Sequence, residues 1–381
     1  MSSLDNPSPP KQGYGDEGLL IAFMAILWVG LVAWHPRAAL VDDVARMVEI
    51  ATAGGKPYVA FPVEFPPLTT LLIRGIGGAS PPIVAARVAA VNAASTLGCW
   101  LILKSRWSRA TGRYFLWFAL PLQLFMPFRL DALSVLLTVG ALALADAGVQ
   151  MIGGLAFAAA VLLRLWPATL LPGVYLRDRR NACITAIVAT LIGGGLWIAS
   201  TGSNALDQVL SYRGASGWHL ESVYGVLAYV GTGGDVRFDG GALRVGTASP
   251  WELVLTRIVT VGLIALIWAR CRNRADLMGR PALASVAALI LLSPISSPQF
   301  VVWLTPWAAI AATEGSARDV VMLMTYLTVF AAATFLSYWG PDDVRLIVFM
   351  AAARALCLLG LIIVGVSRVS TQPASAAATM A

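Results

Sequence analysis

Residues 150–176 read QMIGGLAFAAAVLLRLWPATLLPGVYL, and how this stretch crosses a bilayer decides the topology of the whole chain. It is apolar except near Arg164 and too long for one span of about 20 residues. Pro167 stands inside it, where a proline kinks or ends a helix. The stretch runs into Arg177, Arg179 and Arg180. Two other basic loops, one with Lys104, Arg106, Arg109 and Arg113 and one with Arg270, Arg272, Arg274 and Arg280, belong in the cytoplasm by the positive-inside rule. All three loops share that side only if 150–176 crosses twice, as short limbs near 150–165 and 167–176 broken at Trp166-Pro167. A single crossing would put the third arginine cluster outside.

Working outward, apolar runs lie near 18–36, 81–103, 114–128, 131–148, 181–200, 252–271, 281–294, 298–313, 319–338 and 344–367. With the two limbs they make about twelve crossings and leave both termini cytoplasmic. Broken helices at membrane depth persist only where they line protein or a water-filled cavity. Pro167, Pro294, Pro298 and Pro306 gather toward the exterior side, which implies a cavity opening outward. The expected fold is all-α and integral to the membrane. Residues 1–17 form a cytoplasmic tail and 18–367 a single transmembrane domain with exterior loops at 37–80 and 201–251. Residues 368–381, rich in Ala and Ser, form a disordered cytoplasmic tail.

Composition agrees. Of 381 residues, 58% are hydrophobic and 12% charged, half the charge of an ordinary soluble domain. The mean hydropathy is +0.75. These values exclude a soluble dehydrogenase-like enzyme, a disulfide scaffold and a nucleic-acid binder. Continuous rather than alternating apolar runs exclude a porin-like barrel. Cys99, Cys183, Cys271 and Cys357 lie in or beside apolar runs without CxxC spacing, and read as small hydrophobes facing lipid.

The exterior segments hold most of the acidic residues, and 37–80 is the most distinctive. It reads Val41-Asp42-Asp43-Val44-Ala45-Arg46, then Gly54-Gly55-Lys56-Pro57-Tyr58, then Pro62-Val63-Glu64-Phe65-Pro66-Pro67. Residues 44–53 carry an apolar stripe of Val44, Met47, Val48 and Ala51, a helix lying on the membrane surface with Asp42 or Asp43 near its N-cap. The pair is either that cap or a carboxylate at the mouth of the cavity. Glu64 precedes a turn that two prolines force to be extended, and its carboxylate either ties the turn down or binds sugar hydroxyls.

The order of first span, Asp43, Gly-Gly-Lys-Pro-Tyr and Val-Glu-Phe-Pro-Pro resembles the GT-C superfamily of membrane glycosyltransferases. More closely, it resembles glycosyltransferase family 87, the actinobacterial polyprenyl-phosphate-mannose-dependent mannosyltransferases. Further pieces fit in order: Arg129-Leu130-Asp131, Arg164-Leu165-Trp166-Pro167 with Leu171-Pro172, Trp218-His219-Leu220-Glu221-Ser222, and Ser297-Pro298-Gln299-Phe300 followed by Trp303 and Pro306. Met47 and Arg164 depart from the pattern, where Tyr and Lys are expected.

The resemblance implies inverting transfer of a hexose, mannose by family, from a polyprenyl-phosphate donor to a lipid-linked glycan. That acceptor is a phosphatidylinositol mannoside or related lipoglycan on the exterior face of the plasma membrane. Phosphate needs no obligatory acid to leave, so cations at the departing charge suffice, while the acceptor hydroxyl needs a base. The family pattern points to Asp43 as that base, with Asp42 the alternative and His219 assisting. Arg164 has two readings, a lipid-phosphate contact or an ion pair with Asp131, because an arginine within a span requires an anionic partner. Arg129 shares both readings. Arg213, Glu221 and Gln299 complete the substrate set. Glu221 also reads as the start of a short helix. Trp218, Trp303 and Trp307 stack on sugar or anchor at the interface. Adjacent rather than DxD-spaced aspartates imply metal-independent chemistry with no cofactor besides the lipid-phosphate sugar. Arg87, Arg257 and Arg354 mark either a lipid path or buried pairs. A polyprenyl-phosphate-arabinofuranose transferase shares the architecture. A lipid or sugar transporter is the rival class, but its common internal duplication is absent here.

Overall fold

A computed structural model describes residues 15–34, 39–124, 126–211, 215–315, 317–339 and 343–367. Side chains are described for these except 15–16, 27–34, 39–42, 124, 298, 317 and 337–339. The helices in the first half are α1 (Gly15–Trp34), α2 (Ala39–Thr52), α3 (Pro67–Ile76), α4 (Pro81–Arg106), α5 (Arg109–Ala119), α6 (Asp131–Asp146), α7 (Gln150–Leu163) and α8 (Leu171–Leu176). Those in the second half are α9 (Arg180–Thr201), α10 (Asn204–Ser211), α11 (Val223–Thr232), α12 (Pro250–Cys271), α13 (Arg280–Leu291), α14 (Thr305–Glu314), α15 (Ala317–Trp339) and α16 (Val344–Val366). Among the described residues, five helices are long and apolar enough to cross a membrane, within α4, α9, α12, α15 and α16. The chain is a multi-span helical membrane protein.

The all-α expectation needs one amendment. The segment between α10 and α12 carries a small antiparallel sheet of β1 (Trp218–His219), β2 (Val236–Asp239) and β3 (Ala242–Val245), ordered β1-β3-β2. The β2–β3 hairpin turns at Gly240-Gly241, both at positive φ.

The decisive stretch is broken as expected, but the break sits two residues earlier. α7 stops at Leu163, Arg164 is extended (φ −149°, ψ 129°), and a 3-10 segment Trp166–Leu170 leads into α8. The cause is steric. A proline ring clashes with the carbonyl four residues before it, which for Pro167 is Leu163. That freed carbonyl accepts a hydrogen bond from the buried Thr69 hydroxyl of α3. Pro306 stands in the first turn of α14, directly after another 3-10 segment, Pro298–Leu304.

Small residues let the helices approach closely. A Cβ on Gly154 of α7 would lie 2.6 Å from the Ala182 carbonyl oxygen of α9, and one on Gly365 of α16 2.7 Å from the Arg280 carbonyl oxygen of α13. Without a hydrophobic drive between helices in lipid, such contacts supply much of the packing energy. α13 and α14 are buried on nearly all sides and form the centre of the molecule. The four cysteines are buried free thiols within the protein rather than facing lipid.

Candidate functional site

α2 begins at Ala39, so Asp42 and Asp43 lie within the helix and neither is its N-cap. The helix also does not lie free on a membrane surface. Val44, Met47 and Ile50 are buried, and the helix packs on α3 and α4. Burying that stripe turns Asp43 and Arg46, one turn apart, toward the neighbouring loops.

Arg129 lies in the turn before α6. Asn92 of α4 holds that turn by donating its amide to the carbonyls of Met126 (2.6 Å), Pro127 (3.0 Å) and Arg129. Asp131 opens α6, where the helix dipole favours a carboxylate. Ser134 of the same helix accepts the Trp166 indole N–H at 3.0 Å, which fixes the break that carries Arg164.

These elements close a ring of alternating charge. The Asp43 carboxylate pairs with Arg129, and Arg129 also donates to the Gln299 side-chain oxygen, which Ser297 supports. Asp131, with no exposed surface, accepts from Arg164 Nη2 at 3.1 Å on one oxygen and from the Trp303 indole N–H at 3.0 Å on the other. Trp303 and Gln299 share one short helix. The Arg164 guanidinium sits 4.9 Å from the Phe65 ring centroid, within cation–π range. Beside Phe65, Glu64 receives Arg46 Nε at 3.1 Å and Nη2 at 2.9 Å, and Arg46 returns the ring to α2. Tyr58, at φ 67°, holds the loop by donating its hydroxyl to the Phe65 carbonyl at 2.7 Å. Gln208 of α10 secures the Tyr58 carbonyl and the Val63 N–H.

Access separates the three acids. The side chains of Glu64 and Asp131 are 1% and 0% exposed, whereas that of Asp43 is 32% exposed. Arg164, 13% exposed, keeps a buried Nε–H with no hydrogen-bond partner among the described residues. The ring therefore presents one reachable carboxylate beside guanidinium donors, a combination able to take a proton and to hold an oxyanion.

Asp43, Glu64, Arg129, Asp131, Arg164 and Gln299 come together. Arg164 makes the ion pair with Asp131, and Glu64 ties down its turn. The side chain of Asp42 and all of Arg213 lie outside the described residues, as do the tails before residue 15 and after residue 367. His219 and Glu221 form a second cluster. Glu221 pairs with Arg354 of α16 at 2.6 Å, and α11 begins behind it, capped by Ser222. His219 is buried with Nδ1 unpaired among the described residues. Burial holds its pKa down to about 4; Glu221 opposes this, while Arg244 and Arg354 add to it. Trp303 and Trp307 are neither interfacial anchors nor open stacking faces. Trp303 is stacked between Phe300 and Trp166, and Trp307 is fully buried. Trp218 leans on Tyr224. Arg87 binds the carbonyls of Ile76 and Gly77 at the end of α3. Arg46 was missed by the sequence reading, although its spacing of three from Asp43 places both on one helical face.

No family model matches the chain, and no curated protein matches it. Among solved structures, the crystal structure of ArnT from Cupriavidus metallidurans bound to undecaprenyl phosphate is similar, with a TM-score of 0.48 and 14% sequence identity over 93% of this chain and 77% of that one. At that level of likeness nothing is carried over to this chain.

Proposed function

We propose that the ring is the active site of a GT-C type glycosyltransferase using a polyprenyl-phosphate sugar, with about twelve spans and the site on the exterior face. The observation that carries the reading is the contrast in access. Of the ring's three carboxylates only Asp43 is open enough to meet an acceptor hydroxyl.

Asp43 takes the proton of the acceptor hydroxyl as its oxygen attacks the anomeric carbon. The bond from that carbon to the phosphate oxygen breaks, and its electron pair leaves with the polyprenyl phosphate. One displacement inverts the anomeric centre and requires no second carboxylate as nucleophile. Arg164 and Arg129 receive the departing negative charge. Asp131 and Trp303 orient Arg164, and Gln299 orients Arg129. Mannose as the sugar and a lipid-linked glycan as acceptor follow from the motif resemblance, and the chemistry is read as metal-independent.

The test incubates membranes containing the protein with a panel of polyprenyl-phosphate sugars and identifies products by mass. Transfer by the native chain, unaffected by EDTA and lost in Asp43→Asn, supports the reading. Undiminished transfer by Asp43→Asn removes the base. Substrate movement across vesicles without any transfer product would instead favour a transporter.

A further inference from the structure

A second feature, outside the ring, lies on the helix that follows the Trp166–Leu170 segment. α8 packs on α9 and on α12, and beside it lies a groove of about 580 Å³. Leu171, Tyr175, Ile187, Trp268 and Ala269 line it, and Arg272 stands at its rim. They lie on α8 and on the ends of α9 and α12 that run into the arginine-rich loops, so the groove opens at the headgroup depth of that leaflet.

Two cations at this rim are poorly neutralised. Arg272 is exposed and makes no ion pair among the described residues. Arg180 lies 5.6 Å from the ring centroid of Tyr175, a groove residue, and among the described residues it pairs with Asp178 at 3.4 Å, both side chains being mostly exposed. Such a surface pair is worth little. Four neighbouring arginines are committed, Arg177 and Arg179 to Asp146, Arg274 to Asp276 and Arg280 to Asp319, while Arg270 is exposed but does not line the groove. Basic pockets between spans on the cytoplasmic side suit anionic headgroups.

We propose that this groove holds one anionic phospholipid of the leaflet bearing the basic loops. Its acyl chain runs along Leu171, Ile187 and Trp268, and its phosphate lies between Arg180 and Arg272. A zwitterionic lipid would fill the same apolar space but would bring its own ammonium to a rim already cationic, so charge selects the occupant. None of these residues belongs to the ring, and the inference stands independently of the transferase reading.

Native mass spectrometry of purified protein, exchanged into equimolar phosphatidylglycerol and phosphatidylcholine of identical chains, tests it. The native protein should retain one phosphatidylglycerol in preference. Each of Arg180→Gln and Arg272→Gln should lower that preference about fivefold, and the double variant about 25-fold, at roughly one surface charge interaction apiece. Ile187→Trp should expel both lipids. Equal retention of the two lipids by the native protein, or an unchanged preference in the double glutamine variant, would overturn the proposal. Unchanged retention by Ile187→Trp would remove the groove as the seat. The glutamine variants alter exposed side chains and stay informative if the tryptophan variant fails to fold.

Discussion

At the level of single residues, Asp43 and Asp131 offer a sharp contrast. Asp43 is partly open and Asp131 is sealed against Arg164 and Trp303. Removing one member of a buried pair leaves a stranded charge and costs about 3–5 kcal/mol, so Asp131→Asn should lower the melting temperature strongly. Asp43→Asn leaves Arg129 its bond to Gln299 and a partly open neighbour, so it should lower the melting temperature less than Asp131→Asn while transfer falls by about 10²–10⁴, the range for losing a general base. Thermal melts run beside transfer assays separate the two, and the opposite pattern would exchange the roles. His219 makes a pH prediction. Its folded pKa of about 4 lies below the ordinary 6.5, so the folded state binds fewer protons than the unfolded state between those values. Stability from this group is full above pH 6.5 and declines as pH falls toward 4, by roughly 3 kcal/mol in all. In His219→Gln the melting temperature should drop less steeply on acidification over that window. A slope equal to that of the native protein would show that the folded imidazole takes up its proton at the ordinary pKa and that burial does not hold it down.

At the level of elements, the bond between Glu221 and Arg354 joins the strand-bearing segment to α16. Arg354 is 2% exposed and its Nε and Nη1 have no hydrogen-bond partner among the described residues, so Glu221 is its main compensation. Glu221→Gln alone should destabilise by about 3–5 kcal/mol, and the double variant Glu221→Gln with Arg354→Leu should recover most of it. Additive losses in that double-mutant cycle would mean the two residues act separately. Broken helices follow a rule visible in the sequence. Proline disrupts the helical bond to the carbonyl four residues earlier, and a hydroxyl from another element or from the residue just before the proline takes that carbonyl, as Thr69 does for Leu163 and Thr305 for Val302. The donor beyond Leu163 lies 94 residues away in the chain, a pairing that no local pattern reveals.

At the scale of the whole molecule, the proposed twelve-crossing topology would put the Gly240-Gly241 hairpin outside and the segment around Asn273 inside. Because the four native cysteines are buried, a cysteine placed at either position can be labelled selectively. A membrane-impermeant maleimide on intact cells should label Gly241→Cys but not Asn273→Cys until the cells are opened. Labelling of both from outside would overturn the orientation and, with it, the placement of Asp43 at the exterior headgroups.

By itself, the sequence determined that the chain is a multi-span helical membrane protein, roughly where its helices lie, and that 150–176 must be broken. Hydropathy, loop charge and proline are local properties, and each acts within a few residues. Most ring members were named as well, Arg164 as a charge within an apolar stretch and Asp43, Arg129, Asp131 and Gln299 through the motif resemblance. Their partners were not. That Arg129 holds Asp43 rather than Asp131, that Trp303 serves Asp131 rather than a sugar, and that Arg46 closes the ring were decided by tertiary packing alone. Ion pairing and hydrogen bonding depend on distances of a few ångströms between segments up to 172 residues apart, and those distances exist only once the small residues of α7, α9, α13 and α16 have let the helices close.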